Sequence, residues 1–219
     1  MKLFIASDIH GSAYYCRRVT ERLRAEGCES LLLLGDVLYH GPRNDLPRDY
    51  APKEVTAMLT ALEVPVFGVR GNCDAEIDQT VLGFPLMADY SLLLLGGRRV
   101  FVTHGHLYTP EAHPKLCAGD AFLFGHIHVP VCEERDGILV LNPGSAAIPK
   151  EQSPHSAMVY EDGLFRWLDL ETGETYVVMA AKASIFPPTM RPLALPAQPR
   201  SSSTVLRPNS VMCLTMLRL

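Results

Sequence analysis

The chain has 219 residues, 47% apolar and 20% charged, with a formal net charge of −4 at neutral pH. That is enough chain for one sizeable core. No run of about 18 apolar residues is present to span a membrane, and the negative balance argues against nonspecific binding to nucleic acid.

From Met1 the chain reaches the charged Asp8 too soon for a secretory apolar segment, and cysteines 16, 28, 73, 117, 132 and 213 form no CxxC pair. A reducing, cytoplasmic setting is therefore expected. In chain order, Leu3 to Ala6 is a short continuous apolar run, as a strand buried on both faces reads. Ser12 then suits a helix N-cap, with Tyr15, Cys16, Val19 and Leu23 on one face, Gly27 as the stop, and the pairs Arg17/Glu21 and Arg22/Glu26 outside. Leu31 to Leu34 reads as the next strand, a helix from near Pro52 carries Val55, Leu59 and Leu62, and Val64 to Val69 reads as a third strand.

Beyond Tyr90 the rhythm changes. Strands are expected at Leu92–Leu95, Val100–Thr103, Ala121–Phe124, Val129–Glu133, Ile138–Leu141, Ala157–Tyr160, Leu164–Leu168 and Thr175–Met179. Gly96-Gly97, Asp136-Gly137, Asp162-Gly163 and Thr172-Gly173 supply the turns between them. Alternating strand and helix followed by a strand-rich half predicts two packed sheets with helices outside. From Ala183 onward there is no Asp or Glu, proline recurs, and arginines 191, 200, 207 and 218 remove four of the 20 basic residues, leaving 16 against 24 acidic, or −8, in residues 1–182. Residues 183–219 are accordingly expected to be a disordered Pro/Ser/Arg-rich tail after a domain at 1–182.

Five of the apolar runs end at a residue able to bind metal: Asp8, Asp36, Asn72, His104 and His126, with His10 and His128 each two positions beyond one of these. In open α/β sheets, groups at the carboxyl ends of strands converge on one crevice. Asp, Asn and His without thiolates suit a divalent ion of intermediate hardness, namely Mn²⁺, Fe²⁺, Zn²⁺ or Ni²⁺. Seven ligands exceed one tetrahedral ion and match two ions sharing a carboxylate, an arrangement suited to phosphoester hydrolysis.

Asp8-Ile9-His10, Gly35-Asp36, Gly71-Asn72, His104-Gly105-His106 and Gly125-His126-Ile127-His128 resemble, in order and spacing, the calcineurin-like metallophosphoesterases. The fuller strings Ser7 to Gly11, Gly35 to Leu38, His40 to Asn44, Arg70 to Asp74 and Asn142 to Ser145 resemble its YfcE-type bacterial phosphodiesterase branch. The resemblance spans residues 1 to about 180. It implies a four-layer α/β/β/α sandwich, in which two packed mixed sheets are flanked by helices. It also implies one ion on Asp8, His10 and His128, another on Asn72, His104 and His126, and Asp36 bridging them, with a bridging hydroxide as nucleophile. Mn²⁺ is the expected metal, a small phosphodiester the expected substrate, and a homo-oligomer a family habit.

Relatives that cleave monoesters carry His where this chain has Cys73, and Arg where it has His40. A thiol is a weak general acid for an alkoxide, so diesters and good leaving groups are expected to be preferred over alkyl monoesters. His40, Cys73 and His106 are candidates for proton transfer, and Arg43 and Arg70 for phosphate contact, although an ion pair of Arg70 with Asp74 or of Arg43 with Asp45 is the plainer reading. His113 and His155 read as surface histidines. Against the enzyme stand a non-catalytic interaction scaffold on the same fold, disfavoured by the full ligand set, and a monoesterase or nuclease; a nuclease is disfavoured by the acidic core.

Overall fold

The structure is a computed structural model and describes residues 1–180; the expected tail, and with it Cys213, lies outside the described residues. In chain order the elements are β1 (Lys2–Ala6), α1 (Ala13–Ala25), β2 (Ser30–Leu33), α2 (Pro52–Thr60), β3 (Val66–Gly68), α3 (Glu76–Leu82), β4 (Tyr90–Leu95), β5 (Arg98–Thr103), β6 (Ala121–Leu123), β7 (Pro130–Arg135), β8 (Ile138–Pro143), β9 (Ser156–Glu161), β10 (Leu164–Asp169) and β11 (Thr175–Ala180). No helix among them is long and apolar enough to cross a membrane.

The strands form two mixed sheets, one in the order β11-β10-β9-β1-β2-β3 and the other β4-β5-β6-β8-β7. Within them β1, β2 and β3 run parallel, as do β5, β6 and β8, so each sheet gathers several carboxyl ends on one edge. Leu3, Ile5, Leu32 and Leu34 point from the first sheet into the layer between sheets, against Val100, Val102, Leu123 and Leu141. Phe4, Ala6, Leu31 and Leu33 point the other way, onto the Cys16, Val19 and Leu23 face of α1 and onto Val55 and Leu59 of α2. That double-sided burial is why these strands are unbroken apolar runs rather than alternating ones.

The two-sheet α/β sandwich is as expected, with its described helices on one side. The outer face of the second sheet (Phe101, Phe122, Phe124, Val140) is covered by Tyr108 and Leu116 from the segment between β5 and β6 rather than by a helix. Ser12 caps α1, its Oγ accepting the Tyr15 N–H at 3.3 Å. The outer pairs differ from expectation: Arg18 meets Glu21, Arg17 reaches Glu54, Arg22 donates to the Leu170 and Glu171 carbonyls, and Glu26 takes Arg166. Tertiary partners outcompete i,i+4 pairs, which are worth only about 0.2–0.5 kcal/mol. The short α3 had no legible pattern, because Ile77 and Val81 are exposed and only Leu82 is buried. β3, expected to be buried on both faces, is a half-buried edge strand.

Candidate metal centre

All the expected ligands sit just beyond parallel strands: Asp8 and His10 after β1, Asp36 after β2, Asn72 after β3, His104 after β5, His126 and His128 after β6. Five of them, Asp8, His10, Asp36, His126 and His128, have positive φ between 48° and 67°. Such backbone costs about 1–3 kcal/mol per residue and persists only where surroundings enforce it. Here the strand-end loops are cross-linked: Asp8 N–H donates to Gly35 O (3.1 Å), His10 N–H to Asp36 O (2.8 Å) and Gly125 N–H to His104 O (2.8 Å). The glycines of the motifs make room for this, since a Cβ on Gly71 would collide with Asp36 Oδ1 and one on Gly125 with Ser7 Oγ.

The side chains converge. Asp8 Oδ1 lies 3.2 Å from His128 Nε2 and 3.6 Å from His10 Nε2, while Asp36 Oδ2 lies 3.6 Å from His10 Nε2 and 3.5 Å from His104 Nε2. Asn72 Oδ1 is 3.1 Å from His104 Nε2. The Nδ1 atoms of His10, His104 and His128 contact the carbonyls of Tyr39, Leu34 and Ile148 at 2.8, 2.6 and 2.9 Å. A carbonyl only accepts, so Nδ1 carries a proton on each ring and Nε2 is the nitrogen turned inward, the arrangement that orients metal-binding histidines. Asp8 Oδ1 is buried without a hydrogen-bond partner. A carboxylate oxygen and a ring nitrogen 3.2 Å apart in a buried site need a positive charge between them, a proton or a metal ion. Groups of three possible donors recur, Asp8–His10–His128, Asp8–Asp36–His104 and His10–Asp36–Cys73, their donor atoms lying within 4.8 Å of one another. The residues therefore fit divalent metal on observed geometry.

The electrostatics agree. Burial alone would raise the Asp8 carboxyl, but His10, His128 and His104 hold it well below the usual carboxylate range; Asp36 is likewise lowered against burial by His104 and the Cys73 N–H. Burial opposes charge on His104, yet Asp36 and Asp8 lift it to about 9, and His10 rises for the same kind of reason. In the metal-free protein, protons do the work of the cation.

The remaining candidates separate. A cleft of about 520 Å³ beside the ligands is lined by Arg43, Asn44, Cys73, His126, Ile127 and Lys150 among others. Arg70 does not line it: Nε and Nη2 both donate to Asp89 Oδ1, at 3.0 and 2.5 Å. Nor does His40, whose ring packs edge-on against Tyr39 and Tyr50. Cys73 is in the cleft, its thiol pushed up to about 12 by burial and by the charge on Asp36. His106 lies 5.4 Å from His104, ring centre to ring centre, and its buried Nδ1 has no partner. His155 is no surface histidine, since it stacks on Tyr15 at 3.9 Å and accepts the Tyr15 hydroxyl at Nε2 (2.8 Å).

Sequence reasoning missed the supports. The Asp74 carboxylate does not pair with Arg70 but accepts the N–H groups of Asp36, Val37 and Gly71 at 2.7–2.8 Å. Asn142 and Ser145, part of a string quoted above only for its resemblance, brace the strand-end loops: Asn142 Nδ2 donates to Gly125 O at 2.8 Å and Ser145 Oγ to Asp8 O at 2.9 Å. Lys150 enters the cleft through a loop with no motif of its own.

A two-sheet sandwich with Asp, Asn and His at the carboxyl ends of both sheets defines a metallophosphoesterase architecture. The chain belongs to the calcineurin-like phosphoesterase superfamily, whose domain model matches residues 1–162. It is 49% identical over 156 residues to the phosphodiesterase YfcE of Escherichia coli (strain K12), covering 71% of this chain and 85% of that protein. It is 29% identical over 163 residues to the probable metallophosphoesterase YsnB of Bacillus subtilis (strain 168), covering 71% and 81%. The solved structure of the E. coli phosphoesterase Yfce superposes with a TM-score of 0.79 at 43% identity, over 83% of this chain and all of that one. Vps29 from Entamoeba histolytica, at 21% identity and a TM-score of 0.54 over 82% of this chain and 99% of its own, shares the fold.

Proposed function

We propose that this chain is a cytoplasmic, metal-dependent phosphodiesterase acting on small phosphodiesters and weak on phosphomonoesters. Two divalent ions would be held by the expected sets, Asp8/His10/His128 and Asn72/His104/His126, with Asp36 serving both, and Mn²⁺ is the ion the reading favours. The observation that carries this reading is the buried, unpartnered Asp8 Oδ1 facing inward-turned Nε2 atoms beside Asp36. The 49% identity to a protein named as a phosphodiesterase supports the reaction, and the five free cysteines among the described residues suit a reducing compartment.

Bound metal supplies Lewis-acid stabilisation of phosphoryl oxygens and acidifies water near neutral pH. The chain does the rest. Arg43 and Lys150 line the cleft with no carboxylate engaging either among the described residues, leaving both cations for the phosphoryl group. The neutral Cys73 thiol gives little proton to a departing alkoxide, which favours diesters with good leaving groups.

The test is hydrolysis of bis-p-nitrophenyl phosphate after chelation, with and without Mn²⁺, for wild type and Asp36→Asn. Activity restored by metal in wild type and lost in the variant is expected. Failure of the wild type with every divalent ion tried would overturn the reading in favour of a scaffold.

A further inference from the structure

The cleft does not end at the metal ligands. His126 and Ile127 form a ridge whose other side opens into a second cavity of about 370 Å³. The two chambers differ in chemistry. Arg43, Lys150 and Cys73 line the first and not the second. The second has an apolar floor of Phe124, Val131 and Val140, with Phe124 and Val140 only 3% exposed. Its one cation, Arg135, is taken by Glu111 (2.8 Å) and Glu133 (2.5 Å), so the rim offers no free charge to a phosphate. His106 forms part of its wall with a buried, unpartnered Nδ1.

We propose that this side cavity takes the ester substituent retained on phosphorus, and selects an aromatic ring of nitrophenyl or nucleobase size there. The proposal rests on the phosphodiesterase reading. The leaving substituent departs on the Cys73 side: water oxygen bonds to phosphorus, the bond to that substituent breaks with its electron pair, and the departing oxygen takes a proton. The other ester bond stays intact, and its substituent lies across the His126–Ile127 ridge. A flat ring there covers the Phe124–Val131–Val140 floor beside His106, whereas a methyl ester leaves that floor uncovered. Burying apolar area of that size is worth about 10- to 100-fold in kcat/KM.

Two variants fill the cavity from different walls, Val131→Trp and Thr109→Trp. Each is assayed on bis-p-nitrophenyl phosphate and on methyl p-nitrophenyl phosphate, which share a leaving group and differ in what is retained. The expected result is a fall of about 10- to 100-fold on the diaryl ester with the methyl ester changed less than twofold. A parallel fall on both substrates in both variants, or no change in either, overturns the proposal.

Binding is read separately by the methyl resonances of Val131 and Val140 with Mg²⁺ present. Diphenyl phosphate should shift them and dimethyl phosphate should not; equal response or none overturns the proposal. A wild type that hydrolyses neither ester yet shows the diphenyl-specific shift would strike the phosphodiesterase reading and leave the cavity assignment standing.

Discussion

His104 and His126 lie 5.0 Å apart, ring centre to ring centre, and are driven in opposite directions: His104 up to about 9, His126 down to about 4. Burial disfavours charge on both. Asp36 and Asp8 overcome it at His104, and the charge so placed on His104 then adds to burial in suppressing His126. One proton is thus held where a metal would sit.

The sign of the pH dependence follows for the metal-free protein. The folded value of His104 lies above its ordinary 6.5, so its stabilisation is complete below 6.5 and disappears as pH rises towards 9. The folded value of His126 lies below 6.5, so its neutral form is favoured, and stability is lost as pH falls from 6.5 towards 4. Melting of chelated protein should therefore peak near pH 6–7 by about these two values. Divalent ions must displace the His104 proton, so their affinity should rise about tenfold per pH unit from 7 towards 9. A pH-independent affinity measured by calorimetry would contradict the assignment.

Asp74 ties the backbone of the Asp36 loop to that of the Gly71 loop through three N–H donors. Asp74→Ala should cost about 2–4 kcal/mol, because partly buried donors are left without acceptors, and should also weaken metal binding, because Asp36 loses its register with Asn72. Asp74→Asn, retaining one acceptor oxygen, should lose less of both. Denaturant melts with metal titration check this; unchanged metal affinity in Asp74→Ala would show that the loops hold without the tie.

What was legible in the chain is what repeats locally. Short apolar runs followed by Asp, Asn or His mark strand ends because a strand buried on both faces has no polar face to interrupt it. Asp-Gly and Gly-Gly mark hairpins because both residues take positive φ, as Asp136-Gly137 and Asp162-Gly163 do. The rest depends on contacts far apart in sequence. Arg70 and Asp89 are 19 residues apart, and Ser145 reaches Asp8 across 137. No periodicity encodes either, nor does any motif announce a cavity floored by Phe124, Val131 and Val140 from three different strands or strand ends.

Arg43 and Arg70 looked equivalent as phosphate-binding candidates and should behave differently. Arg43→Ala removes a cation from the cleft wall and should raise KM about tenfold with folding intact, since a charge-assisted contact is worth about 1.5–3 kcal/mol. Arg70 spends its donors on Asp89, both side chains being more than a third exposed, so Arg70→Ala should cost under about 1 kcal/mol of stability and leave KM within twofold. Steady-state kinetics alongside thermal melts separate the two. A KM effect in Arg70→Ala equal to that in Arg43→Ala would mean that the Asp89 pair opens when substrate binds.

Cys73 is the position at which the sequence resemblance sets this site apart from monoester-cleaving members, and it carries the proposed weakness on monoesters. Its Sγ lies among the possible metal donors with His10 and Asp36, and Asn72 Nδ2 donates to it at 3.2 Å, so the position adjoins the candidate metal ligands. A thiol pushed up to about 12 remains protonated but yields its proton too reluctantly to help an alkoxide leave. Imidazole titrates near the working pH, and a positioned general acid of that kind is worth about 10²–10⁴ in rate. Diesters with nitrophenolate leaving groups need no such help, whereas alkyl monoesters do. Cys73→His should therefore raise kcat/KM on an alkyl phosphomonoester at least about tenfold relative to bis-p-nitrophenyl phosphate, with metal content unchanged. The gain should appear as a new descending limb in the monoester pH profile as the imidazolium loses its proton. An unchanged substrate ratio at full metal occupancy would mean that proton delivery at this position does not set the proposed preference for diesters, and would shift that role to the cleft walls, Arg43 and Lys150 among them.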